Sequence, residues 1–413
     1  MPTFANMNTF LLREAIRKQP GHVIQQVPMP QAIITEGLGA RNLIGKICQK
    51  AGYKSVLLVT DKTIHSLGYH TVIIDSLKKE DISCSVFSDI ASEPNIAIIE
   101  AGRRAALECK AQCIIALGGG SVMDSCKMIA AAIRLKNRPV GSLLLKFLIV
   151  PGKTLPLITI PSTAGTGAEI TVGAVITNRR GTKNASVIVG LNITHVVLDS
   201  ELTLNAPRSV TTSCGIDALS HGIEGYIADV KSDEDDMMKS RENIRLIFEN
   251  LPHLLEYPDD EISRLSMCRA ALYGGNAINK QLAGYVHAFA HSIGAKYHIS
   301  HGNAIALCLL PIMKFQRNKC LERFAELAVY CGFANETDGI GLAADKFLQA
   351  LTRLIATCEF TIKGDFISPN DFNSLVNLIA KDSINYSSPV VLKNKEIKQL
   401  LKEISQTDLS HLI

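Results

Sequence analysis

The sequence predicts an α/β N-terminal domain, Rossmann-like with a mainly parallel sheet, followed by an all-helical C-terminal domain. Three observations carry this reading. The first half alternates short continuous apolar runs with helix-length segments, the pattern of β-α-β units whose strands are covered on both faces. After Pro207 the texture changes, and from Ser209 onward the periodicity is almost wholly helical. The composition is that of an ordinary folded chain, 413 residues with 47% apolar and 20% charged; at about 150 residues per domain this allows more than one domain and excludes wholesale disorder.

Strands are expected at Gln31–Thr35, Ser55–Thr60, Ser83–Phe87, Cys113–Leu117, Leu157–Ile160, Ile170–Thr177 and Val196–Leu198. Helical segments lie between them, at Ala40–Lys50, Asn95–Cys109 and Ser121–Leu135. In the second half, Arg241–Leu254, Ile262–Asn279, Lys319–Cys331 and Gly341–Thr357 repeat apolar residues at helical spacing. The boundary falls near Asn205–Arg208. It gives an α/β domain over residues 1–206, with residues 1–28 an extension before the first strand, and an all-helical domain over 207–413.

Several function classes are excluded at this level. Lys+Arg 43 against Asp+Glu 39 is too balanced for a nucleic-acid binder. No run of 18 apolar residues exists, and the best candidate, Leu143 to Val150, is interrupted by Lys146, so no membrane span is expected. Eleven cysteines without a secretory signal read as reduced, mostly buried thiols. The first 20 residues carry Arg13, Glu14, Arg17 and Lys18 around short apolar pieces; a mitochondrial presequence is the minor reading of them, and the expected location is the cytoplasm.

Cys113–Leu117 runs straight into Gly118-Gly-Gly-Ser-Val-Met-Asp-Ser-Cys-Lys127. Glycines there let the backbone turn sharply and approach a ligand. Ser121 is expected to cap the following helix, with Asp124 completing a capping-box-like pattern. The exposed N–H groups of the helix start suit a pyrophosphate, although the pattern is not G-x-G-x-x-G and a plain tight turn reads equally well. Asp61 ends an early strand, where open α/β sheets bind ligands. A carboxylate there accepts ribose hydroxyls and repels a 2′-phosphate, favouring NAD over NADP; its plainer role is a helix cap. The loop Pro161-Ser-Thr-Ala-Gly-Thr-Gly-Ala-Glu169 suits a cofactor cradle or an ordinary turn.

The feature that most needs explaining is a cluster of four of the 11 histidines, His287, His291, His298 and His301, within 15 residues. Asp217 and His221 stand at i and i+4 on one helical face, His287 and His291 repeat that spacing, and His298 and His301 stand at i and i+3. Two such pairs meeting across a bundle close on one divalent ion, and a mixture of one Asp and several His suits iron(II) or zinc with a position left open for substrate. Spacing alone leaves open which histidines bind and which relay protons. Phe289 reads either as a wall of the substrate pocket or as helix core.

These motifs resemble the iron-containing (group III) alcohol dehydrogenase family. The likeness is carried by Gly-Gly-Gly-Ser-x-x-Asp-x-x-Lys at 118–127, Pro-Ser-Thr-Ala-Gly-Thr-Gly at 161–167, Gly-Ile-Asp-Ala-Leu-Ser-His-Gly-Ile-Glu at 215–224 and His-Ala-Phe-Ala-His through His301-Gly302. Val-Thr-Asp at 59–61 and Glu-Pro-Asn at 93–95 extend it, so that it runs from about residue 31 to 380. The resemblance implies a dehydroquinate synthase-like architecture and metal-assisted hydride transfer between a small alcohol or aldehyde and NAD. It implies Asp217, His221, His287 and His301 as metal ligands and His291 as a non-ligand on the nicotinamide side, able to relay the alcohol proton. It places the dinucleotide on Asp61, Asn95, Gly119, Gly120, Ser121, Asp124, Ser162, Thr163 and Thr166, with Lys183 reaching the ribose.

The chain departs from the family in its long N-terminal extension, in Ser300 before the last ligand, and in Tyr386-Ser-Ser-Pro389, which stands where the family has an Asn-Pro segment walling the active site. His298 has no role in the family pattern. A homodimer or larger homo-oligomer is the expected state. The rival readings are a dehydroquinate synthase-like lyase, which would show a glutamate-led metal set and phosphate-binding basic residues, a glycerol-dehydrogenase-like enzyme with fewer metal histidines, and a metal-binding scaffold without catalysis.

Overall fold

The computed structural model describes residues 27–411 apart from Ser92, Arg180, Thr182, Val230, Lys231, Ile384 and Asn385. The extension before residue 27, with the presequence reading, lies outside the described residues. Six strands, β1 (Ile33–Glu36), β2 (Ser55–Asp61), β3 (Ser83–Ile90), β4 (Cys113–Gly118), β6 (Leu157–Pro161) and β9 (Ile193–Leu198), form one sheet in the order β1-β9-β6-β4-β2-β3, every pairing parallel. The continuous apolar runs have a direct cause. Leu57, Val59, Ile114 and Ala116 bury on one face against Ile99, Cys126 and Ile129. Their alternates Val56, Leu58, Cys113, Ile115 and Leu117 bury on the other against Ile44, Cys48, Ile73 and Leu77. With both faces covered, the period-2 signal vanishes and only an apolar run remains.

A second sheet corrects the sequence expectation. Strands β5 (Phe147–Ile149), β7 (Gly173–Thr177) and β8 (Lys183–Val189) pair in the order β5-β8-β7, with β7 and β8 antiparallel. Neither β5 nor β8 was expected, and residues 170–172 lie outside β7. β5 has only three residues, and the first half of β8 is Lys-Asn-Ala-Ser, too polar to register as an apolar run.

From Arg208 onward the named elements are helices: Arg208–Ile227, Glu234–Glu256, Glu261–Gln281, Tyr285–Tyr297, His301–Gln316, Leu321–Tyr330, Ile340–Thr357, Phe372–Ser383 and Asn394–Ser405, with short 3-10 turns. The chain divides into an α/β unit, Val27–Ala206 with Asp259–Leu272, and a helical unit that includes Pro207–Pro258 and Tyr273–Ile413. Residues 259–272, which the sequence reading assigned to the helical domain, thus pack with the α/β unit. Cys268 and Leu272 bury in the same cluster as Ala168, Ile170 and Leu198. All eleven cysteines are free, and among the described residues no helix is long and apolar enough to cross a membrane.

One buried carboxylate ties the ends of two neighbouring strands in the α/β unit. Asp199, after β9, accepts from the Arg41 guanidinium at 2.8 Å and from the Arg41 backbone N–H at 3.1 Å. Its other oxygen accepts from the N–H groups of Gly39 at 2.9 Å and Glu201 at 3.1 Å. Gly39 and Arg41 follow β1, the parallel neighbour of β9. Removing one partner of such a buried pair leaves the other charge without compensation. Asp199→Ala is therefore expected to lower stability by about 3–5 kcal/mol, read as an earlier urea unfolding midpoint, with a smaller loss for Asp199→Asn.

Candidate metal centre and cofactor loops

The glycine turn sits where β4 ends. Gly118 has φ +156°, and a Cβ there would lie 2.5 Å from Val122 Cγ2 and 3.3 Å from Asp61 Oδ2, so only glycine fits. The helix Gly120–Arg134 starts one residue earlier than expected, with Gly119 as its N-cap and no side-chain cap. The expected cap by Ser121 and capping box with Asp124 is thereby corrected. Ser121 lies in the first turn, and Asp124 instead accepts from Val175 N–H at 2.9 Å and pairs with Lys127 at 3.1 Å.

The second loop lies against this turn. Ser162 N–H donates to Gly118 O at 3.0 Å. Cβ atoms on Gly119 and Gly120 would meet Thr163 Oγ1 at 3.5 Å and Thr166 Cγ2 at 3.2 Å. Asp61, Gly119, Gly120, Ser121, Ser162, Thr163 and Thr166 therefore share one end of the sheet, the carboxyl end at which ligands bind in such folds. Asp61 Oδ1 caps the helix Lys62–Ser66 through Ile64 N–H at 2.9 Å, so the plain cap role is real and uses one oxygen. Asn95 and Lys183 form a second group. Asn95 Oδ1 caps the helix Ile96–Glu108 through Ala97 and Ile98 N–H, and Lys183 pairs with Glu93 at 2.9 Å.

The imidazoles converge in the helical unit. Asp217 and His221 project from one helix, His287 from a second, and His301 opens a third. Asp217 Oδ1 lies 3.8 Å from His221 Nε2, 3.6 Å from His287 Nε2 and 3.3 Å from His301 Nε2. Ligand atoms about 2.1 Å from one tetrahedral ion stand about 3.4 Å apart, the spacing seen here. Asp217 Oδ1 and His287 Nε2 are buried without a hydrogen-bond partner. Orphaned buried polar atoms are costly, and an ion between them removes that cost, so these residues fit a metal. The His301 side chain is 39% exposed while the Asp217, His221 and His287 side chains are nearly sealed, which leaves one open side.

Glu224 orders this set. It lies on the Asp217–His221 helix and takes Val286 N–H at 2.7 Å through one oxygen and His287 Nδ1 at 2.6 Å through the other. A carboxylate at the helix start is favourable, and holding Nδ1–H leaves Nε2 to face the ion. Burial alone would lower the His287 pKa, but the carboxylates of Glu224 and Asp217 outweigh it and raise it to about 9. His221, stacked on His287 with centroids 4.6 Å apart, is pushed down to about 3 by burial despite Asp217. Burial also acts to raise the Asp217 pKa, but His221 and His301 hold it well below the usual carboxylate range.

His291 stands one turn on from His287, its ring stacked on His301 with centroids 5.1 Å apart. Its Nδ1 lies 2.8 Å from the Tyr386 hydroxyl and 3.8 Å from Asp382. Desolvation, with the neighbouring His301 and His287, lowers its pKa against the pull of Asp382. The structure decides two points about the cluster that spacing left open. His298 and His301 do not share a helix: His298 has φ +56° and terminates Tyr285–Tyr297 as its C-cap, a structural role. Phe289 is fully buried, hence core. Sequence reasoning did not single out Asp382, carried Glu224 only as the end of the 215–224 motif, and placed Tyr386 only within the segment at the active-site wall, without its contact to His291. Glu224 was within reach, being three residues beyond His221 on the same helical face.

Comparison with known proteins identifies the family. The family model for iron-containing alcohol dehydrogenase matches residues 30–200, and the model for the C-terminal region of the Fe-containing alcohol dehydrogenase family matches residues 211–405. The chain belongs to the iron-containing alcohol dehydrogenase family. It is similar to alcohol dehydrogenase 4 of Saccharomyces cerevisiae, with 28% identity over 374 residues, 89% of this chain and 95% of that one. Among solved structures it resembles 1,3-propanediol oxidoreductase, with a TM-score of 0.85, 26% identity and coverage of 92% of this chain and 99% of that one. It also resembles sulfoacetaldehyde reductase from Bifidobacterium kashiwanohense in complex with NAD+, with a TM-score of 0.83, 26% identity and the same coverage. As a member of this family the protein is an NAD(P)-linked alcohol dehydrogenase. Glu224 does not favour the glutamate-led lyase reading, because it holds His287 Nδ1 rather than facing Asp217.

Two outcomes follow from the Glu224–His287 contact. Glu224→Gln places an amide donor against Nδ1 and favours the tautomer whose Nε2 is blocked, so metal affinity is expected to fall by about 10–100-fold, measured by competition with a chromophoric chelator. An ion must also displace the second proton of His287. Apparent affinity is thus expected to rise with pH, roughly tenfold per unit, and to level off near pH 9, where that proton is already gone.

Proposed function

We propose that this alcohol dehydrogenase holds one divalent ion, iron(II) or zinc, on Asp217, His221, His287 and His301, binds NAD in preference to NADP, and uses His291 for proton transfer on a small alcohol or aldehyde. The observation that carries the metal assignment is the convergence of three imidazole Nε2 atoms on the orphaned Asp217 Oδ1. When bound, the ion supplies Lewis-acid polarisation of the substrate oxygen and the nicotinamide supplies the hydride chemistry.

The chain's own residues divide the remaining work. Asp217 contributes a negative charge at the ion and His221, His287 and His301 neutral donors, with Glu224 fixing the His287 tautomer. The open side beside His301 admits a substrate oxygen. His291, adjacent to but outside the ligand set, accepts the hydroxyl proton in oxidation and returns it in reduction. In the α/β unit, the first-turn N–H groups after Gly119 suit a pyrophosphate, with Ser162, Thr163 and Thr166 beside them. Asp61, at the end of β2, supports the NAD preference, since a carboxylate repels the 2′-phosphate of NADP. Asn95, Asp124 and Lys183 are assigned to the dinucleotide by the family pattern.

The test uses apo-protein reloaded separately with iron(II) and zinc, assayed for NADH and NADPH turnover on a panel of alcohols and aldehydes. Steady NAD-linked turnover that requires the ion is the expected result. His287→Ala and His301→Ala are expected to lose bound metal and activity together. His291→Ala is expected to keep its metal by elemental analysis while kcat falls by about 10²–10⁴-fold. Equal loss of metal in His291→Ala would overturn the division between ligand and proton carrier.

A further inference from the structure

The segment Tyr386–Pro389, which departs from the family pattern, brings a phenol to His291. Four hydrogen bonds place it. Tyr386 N–H donates to Ser383 O at 3.1 Å, and Ser387 N–H donates to Ala283 O at 3.0 Å, just before the helix that carries His291. Gln316 Nε2 donates to Ser388 Oγ at 3.0 Å, and Leu392 N–H donates to the Tyr285 hydroxyl at 2.8 Å. The chain after Tyr386 is thus tied to the start of the His287–His291 helix through Ser387 and Leu392 and to the His301–Gln316 helix through Ser388, while Tyr386 itself bonds back to the end of the preceding helix.

The direction of the hydrogen bonds follows from counting protons. A phenol has one O–H donor and lone pairs that accept, whereas a carboxylate only accepts. Tyr386 donates its single proton to Asp382 Oδ2 at 3.3 Å. Its oxygen, 2.8 Å from His291 Nδ1, is then left as an acceptor for a hydrogen on Nδ1. The opposite arrangement would turn the phenol's proton to Nδ1 and set its lone pairs against the Asp382 carboxylate. Burial and the Asp382 charge hold the phenol well above its ordinary pKa, so it stays a neutral donor.

We propose that Tyr386, backed by Asp382, is a positioning residue for His291 that fixes the imidazole as its Nδ1–H tautomer and leaves Nε2 as the atom that takes the substrate's hydroxyl proton. The proton passes from the alcohol oxygen to Nε2, giving an imidazolium whose Nδ1–H remains bonded to Tyr386. It then leaves to solvent, which reaches the His291 side chain at 41% exposure. The catalytic half of this inference rests on the dehydrogenase reading of the site; the tautomer does not.

The experiment reads both halves. Zinc-loaded full-length protein with ¹⁵N-labelled histidine is examined by long-range ¹H–¹⁵N correlation, with His291 assigned from the spectrum of His291→Ala. The parent is expected to show His291 protonated at Nδ1 and bare at Nε2. Tyr386→Phe, which removes the acceptor, and Asp382→Ala, which frees the phenol's proton for Nδ1, are each expected to move His291 toward the Nε2–H tautomer. In steady state, Tyr386→Phe is expected to lose kcat by about tenfold, the scale of one lost orienting hydrogen bond, with KM and metal content unchanged. It is expected to have no further effect in a His291→Ala background, whereas a merely structural role would add to it. A parent His291 in the Nε2–H form, or a Tyr386→Phe variant with unchanged tautomer and kcat, overturns the proposal. If the reloaded parent turns over no substrate, the dehydrogenase reading fails and the tautomer alone decides the positioning role.

Discussion

A carboxylate sealed from water among three imidazole nitrogens is the constraint on which the helical unit is organised. Asp217 is 3% exposed and its Oδ1 has no hydrogen-bond partner, a state whose desolvation cost is large unless a positive charge stands beside it. The protein meets part of that cost with a proton on His287, which Glu224 stabilises from the far side of the ring. An ion bound there would displace that proton and take over its charge. That arrangement would tie the affinity of the proposed centre to pH and give Glu224, which lies on the far side of His287 from Asp217, an influence on any metal held there.

Such a centre needs helices that come unusually close, and small residues mark the approaches. A Cβ on Gly302, beside His301, would lie 2.6 Å from Ser213 Cβ and 2.7 Å from its carbonyl oxygen. A Cβ on Gly284 would sit 2.6 Å from Glu224 Oε1, blocking the carboxylate from the helix start it caps. The helix of Asp217 and His221 thus receives His301 at one glycine contact and, through Glu224, the start of the His287 helix at another. Interiors packed at crystal-like density transmit small shifts, so added bulk at either glycine displaces ligand atoms as well as backbone.

Much of this was legible in the sequence, for identifiable reasons. The strands around Leu57 and Ile115 announce themselves because both faces are buried, whereas β8 does not, because its first four residues are polar. Asp217, His221 and His287 are visible as helical spacing, which depends only on local geometry. His301 is visible as a histidine but not as the start of a new helix, since a non-glycine residue, His298, takes the left-handed turn that ends the preceding one. Tyr386 lies 95 residues from His291, and no local pattern announces a contact that depends on how a late loop folds back. Pairing of this kind is a property of the tertiary fold.

The division of the chain also bears on how the protein can be cut and made. Because residues 259–272 belong to the α/β unit, a fragment ending at Ala206 lacks Cys268 and Leu272, which are built into the core around Ile170 and Leu198. Excision at the apparent boundary would therefore yield an incomplete α/β unit rather than an independent module. The same holds during synthesis from the N-terminus: the core of the first unit stays open until the ribosome has passed residue 272, by which time the helix bearing Asp217 and His221 already exists as nascent chain.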